Sequence, residues 1–140
     1  MSGAESGVLR AATSWLVSAA LSIGLVIALG WLPWRRLGGE SGSSALLTGV
    51  AIAFLGSIGG AVPVLRWLAA PARSRSPAST VAGWSTVLRA GVTAVLALVG
   101  ATGTALGRSP LLLAVGIGYA VLLVVETKWT LRWLTAGGSK

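Results

Sequence analysis

Four long stretches without a single charged residue occupy almost all of this 140-residue chain. Residues 11–34 lie between Arg10 and Arg35, and residues 41–65 between Glu40 and Arg66. Residues 90–107 lie between Arg89 and Arg108, and residues 109–125 between Arg108 and Glu126. About 20 consecutive apolar residues make a helix that crosses a hydrocarbon core of about 30 Å. The pattern predicts an all-α polytopic membrane protein, a single four-helix bundle over residues 1–140. Helices are expected at about 11–32, 45–68, 83–106 and 110–134.

The punctuation between these stretches fits that division. Pro33 and Gly38-Gly39 are expected to stop the first helix, and Pro71 and Pro77 to break the chain after the second. Pro110 suits the first turn of the fourth helix, and the short turn before it predicts a tight antiparallel hairpin of helices three and four. Pro63 lies inside the second span, where a kink is expected. The apolar run after Arg10 extends to Trp34, longer than a cleaved signal segment, so it is read as a retained span.

Charge gives an orientation. With the N-terminus inside, the inner side carries Arg10, Arg66, Arg73, Arg75, Arg89, Lys128, Arg132 and Lys140. The outer side carries Arg35, Arg36 and Arg108. That bias predicts both termini cytoplasmic, and the location expected is the bacterial plasma (inner) membrane. The net charge of +8 is accounted for in the same way, and no basic block argues for nucleic acid. All seven tryptophans fall near predicted helix ends, which suggests an interfacial belt.

The chemistry open to the chain is narrow. There is no Cys and no His, and the only acids are Glu5, Glu40 and Glu126. Thiolate metal sites, His relays and paired carboxylates are therefore excluded. No catalytic residue, metal or cofactor is expected.

Two ionisable residues fall within spans, and such residues are costly in lipid. Arg89 and Glu126 lie at comparable distances from the turn between the last two helices. They are expected to pair close to the inner boundary, with Arg66 at a similar level and able to join them. Thr93, Gly100, Gly103, Thr104 and Gly107 continue the Arg89 face at helical spacing. Two readings stand side by side: a cytoplasm-facing polar site for a partner or ion, or a salt bridge that locks the hairpin. Small residues recur on every span, and Gly56, Gly60, Gly103, Gly107 and Gly118 are the expected packing positions. They favour a compact bundle in the lipid bilayer, alone or as a homo-oligomer.

The second half also resembles a known family. Leu88-Arg89-Ala90-Gly91 enters the third helix, and Gly118-Tyr119-Ala120-Val121-Leu122-Leu123-Val124-Val125-Glu126-Thr127 leaves the fourth. An Arg entering a late span, followed by an aliphatic Gly-Tyr…Leu…Glu run, is similar to the ATP synthase protein I family. These are small membrane proteins associated with bacterial F-type ATP synthase. The resemblance implies an accessory or assembly role toward the synthase rotor subunits, without catalysis. Gly59-Gly60-Ala61 with Arg66-Trp67 also resembles the opening of the fluoride-channel family, but this chain has no Asn and one Phe. A small homo-oligomeric transporter or channel is the alternative reading.

Overall fold

The computed structural model describes residues 3–71, 76–104 and 108–138. Its elements are α1 (Gly3–Ala69), α2 (Ala78–Gly103) and α3 (Arg108–Gly138). The helical pattern of α1 is unbroken, yet α1 holds two apolar segments, Ser6–Arg36 and Glu40–Ala69. With α2 and Arg108–Trp133 these make four helical spans long and apolar enough to cross a membrane.

The two arms of α1 fold back on each other. The Trp15 and Phe54 rings stack with centroids 5.9 Å apart at 14°. In one straight helix those residues would stand about 58 Å apart, at about 1.5 Å per residue. Ala19 likewise packs with Ala53. The chain reverses between the two apolar segments, close to the expected stop at Pro33 and Gly38-Gly39, with helical residues on both sides and no long loop between them. Close backbone approach makes this turn work. A Cβ on Gly42 would lie 2.0 Å from the Trp34 carbonyl oxygen. The helix also continues through Pro63.

The second arm is the most buried of the spans. Its inward face repeats at helical spacing through Leu46, Val50, Ala53, Ser57, Ala61 and Val64. α2 and α3 pack chiefly on α1 and touch each other least. Ile52 shares one cluster with Leu111 and Val115 of α3 and partly buried Leu96, Ala97 and Ala101 of α2. The expected tight hairpin of the last two spans is thus corrected. A short turn fixes where two helices start and stop, but small residues on the second arm draw both toward it.

Those small residues are specific. A Cβ on Gly49 would lie 2.6 Å from the Ala114 side chain and 2.9 Å from the Val115 backbone nitrogen. Gly118 meets Ala53 and Val50 in the same seam. Lipid supplies no hydrophobic push between helices, so such contact carries the packing. Gly103, an expected packing position, faces open space, and Gly107 lies outside the described residues.

The tryptophans are also corrected. Trp15, Trp34, Trp67 and Trp129 are buried between helices. Buried indoles need acceptors. Trp34 donates to the Pro110 carbonyl, tying the first arm to the start of α3. Trp67 donates to the Ser76 carbonyl, fastening the end of α1 to the segment entering α2. Trp129 donates to Ser14 Oγ and the Ala11 carbonyl, tying α3 to the first arm. Trp84 remains exposed, as an interfacial ring would be.

Gly49→Ala is expected to lower bundle stability by about 1–3 kcal/mol, because helix backbone must move aside. Gly103→Ala, which meets nothing, should stay within about 1 kcal/mol of the parent or stabilise it. Unfolding from detergent micelles by added dodecyl sulfate measures both.

Candidate functional site

Arg89 sits on the inward face of α2, in register with Val81, Ser85, Thr93 and Gly100. It lies eleven residues after Ala78, about 16 Å along the helix. Arg89 Nη2 and Glu126 Oε2 form an ion pair, and the side chains are 5% and 1% exposed. The expected pairing is present, and it is closed inside the bundle. α2 begins five residues earlier than expected, so Arg89 stands about three turns along the helix.

Two glycines of the second arm make space for α2 side chains, Gly60 for the guanidinium and Gly56 for Thr93. A Cβ on Gly60 would lie 2.9 Å from Arg89 Nε, and one on Gly56 would lie 1.9 Å from Thr93 Oγ1. Both positions were legible as small residues. Their role is to admit Arg89 and Thr93, which a bare small-residue stripe does not say. Ser85 Oγ donates to the Gly60 carbonyl at 2.6 Å and holds α2 against the same seam.

All four spans contribute polar groups here. The first arm gives Trp15, the second arm Ser57, α2 Arg89 and Thr93, and α3 Glu126. The Ser57 hydroxyl and the Trp15 indole N–H face the Glu126 carboxylate as further donors. Neither closes a hydrogen bond of ordinary length and angle; Trp15 Nε1, Ser57 Oγ, Arg89 Nε and Thr93 Oγ1 are buried without a partner. Such groups are expensive in apolar surroundings unless something satisfies them. Sequence reasoning missed Ser57 and Trp15. The signal for Ser57 was its place on the Ala53–Ala61 face of the second arm. Trp15 gave none, because its position near a helix end suggested lipid.

Other expected members of the site lie elsewhere. Arg66 is exposed and stands beside Ser76, Thr80 and Trp84 at the end of α1. Gly103 and Thr104 are exposed, and Thr104 Oγ1 donates to the Gly100 carbonyl of its own helix. Tyr119 is half-buried beside Ala19, Ala53 and Leu122. Among the described residues no three metal-ligating side chains come together.

A small crevice of about 90 Å³ opens between α2 and α3 and reaches Arg89. Ser85, Thr86, Thr127 and Thr130 line it, with Ala82 and Leu131. It exists because α2 and α3 touch each other so little.

The fold and this cluster define a class: a multi-pass transmembrane helical bundle with a charged core. No family model matches the chain, and no curated protein or solved structure is significantly similar to it.

Removing one charge leaves the other buried without its partner, which costs about 3–5 kcal/mol. Glu126→Gln is expected to destabilise the parent by about that amount and an Arg89→Gln background by much less. A double-mutant cycle in detergent measures the coupling; additive losses would show that the two charges do not depend on each other.

Proposed function

We propose that the protein is a small integral membrane accessory or assembly factor that works through its outward helix faces. The observation that carries this reading is the contrast between inside and outside. Arg89 and Glu126 are turned inward and joined, while the first arm presents Leu21, Leu25, Leu29 and Leu32 outward at helical spacing. α2 presents Val87, Val95, Leu98 and Val99 in the same manner. These two spans are the least buried of the four and leave most helix face for another membrane helix or for lipid.

The likeness of the Arg89 and Glu126 segments to the ATP synthase protein I family makes rotor subunits of an F-type synthase the first partners to test. The role of Arg89 changes under this reading. It stays paired with Glu126 and keeps the bundle in one shape, and the apolar stripes meet the partner. Loop charge supports an orientation with both termini cytoplasmic, and the same family likeness makes the bacterial plasma membrane the location to test. Arg89 lies in the core and drops out of the inner count, leaving seven basic residues against three.

A second reading, a small homo-oligomeric transporter or channel, is favoured by one observation: the unpartnered donors around Glu126 and the polar crevice beside Arg89.

A photo-crosslinking residue at Leu25 or Val95 is expected to capture a rotor subunit in cells, and one at buried Val64 to capture nothing. A deletion strain should assemble less rotor ring. Normal ring levels together with no crosslinked subunit would reject the assembly role.

A further inference from the structure

We propose that the α2–α3 crevice and the Arg89–Glu126 pair form one site at which a proton and a small inorganic anion bind together. The inference goes beyond the assembly reading and does not depend on what the outer helix faces touch.

Electrical balance inside the bundle is the starting point. The pair is neutral as a unit, and both side chains are almost wholly buried. Arg cannot give up its proton in a protein. If Glu126 takes up a proton, Arg89 is left as a buried charge with no counter-charge. Trp15 and Thr93 carry no charge, nor does Ser57, so no group facing the pair from the first arm, the second arm or α2 can replace the carboxylate. On α3 the neighbouring ionisable residue is Lys128, which is exposed and of the wrong sign. An uncompensated charge in such a place is costly. Protonation therefore requires that a negative charge arrive at Arg89.

The crevice is where one can arrive. Its volume of about 90 Å³ is several times the roughly 10–15 Å³ that one water needs on the same measure, which leaves room for a small anion with a water or two. Arg89 forms part of its wall, and Ser85, Thr86, Thr127 and Thr130 add hydroxyls. Thr86 and Thr127 turn their hydroxyls back to the Ala82 and Leu123 carbonyls of their own helices. Hydroxyl hydrogens rotate to suit a better acceptor. The crevice lies toward the end of the bundle that carries the N-terminus, the α1–α2 connection and the end of α3. Water from that side delivers the proton.

The charge balances at each step. In one state the Glu126 carboxylate neutralises Arg89. In the other, Glu126 is a neutral carboxylic acid and the anion neutralises Arg89. Binding is reciprocal: each ligand strengthens the other by the same factor. A monovalent ion such as chloride fits the single vacated charge and the small volume.

Infrared spectroscopy of the whole protein in zwitterionic vesicles tests this. Glu5→Gln and Glu40→Gln with ¹³C-glutamate leave Glu126 as the only labelled carboxyl. On acidification its protonated C=O band is expected to appear. The midpoint should move to higher pH by about one unit for each tenfold rise in chloride, one anion per proton. Gluconate at equal ionic strength, too large for the crevice, should give no such movement. Thr86→Leu with Thr127→Leu narrows the mouth at two exposed positions. These variants should keep their helical spectrum and lose the chloride dependence. A midpoint that ignores chloride, equal movement with gluconate, full chloride dependence in the leucine variants, or a carboxylate ionised over the whole range would each overturn the proposal.

Discussion

A single ion pair in an apolar interior constrains much of this bundle. Bringing a guanidinium and a carboxylate out of water costs several kcal/mol for each ion, and only close pairing with good geometry offsets it. The chain meets that condition by placing Arg89 and Glu126 on different helices and by clearing room with Gly60 for the guanidinium and Gly56 for Thr93 one turn on. Close approach of the second arm to α2 at those glycines, and to α3 at Gly49, follows the same logic. Small residues fix the distances between backbones, and the distances place the charges.

The resulting architecture has a centre and a periphery. The second arm of α1 is the centre, with its small and aliphatic face turned to the other three spans. Three indole N–H groups act as ties between segments at the ends of the bundle, each donating to a backbone carbonyl. A fourth indole, Trp15, points to the charged cluster instead. Polar groups from all four spans thus meet at one level, while large aliphatic side chains cover the outside.

Much of this was legible in the sequence, and the exceptions have physical causes. Four uncharged runs define four spans because lipid tolerates little else. Comparable distances from one short turn bring Arg89 and Glu126 to a similar level in the sequence alone. The reversal near Gly38-Gly39 falls where a break was expected, whereas the close backbone approach at Gly42 that lets it close gave no separate signal. Gly49 was hidden among 20 glycines, since abundance masks the few that touch. Tryptophans near helix ends suit both an interfacial belt and an interhelical tie, and sequence position does not separate the two. Arg66 shared a level with the pair, but level says nothing about direction around the helix, and it faces outward.

The most direct test of the central ion pair is a distance measured in a lipid bilayer. Solid-state NMR can report the dipolar coupling between ¹⁵N-labelled arginine guanidinium groups and the ¹³C-labelled carboxyl of Glu126. Glu5→Gln and Glu40→Gln again leave that carboxyl as the only one observed. A coupling that corresponds to roughly 4 Å or less, abolished by Arg89→Gln, is the expected result. A Glu126 carboxyl with no guanidinium coupling in the intact bundle would contradict it.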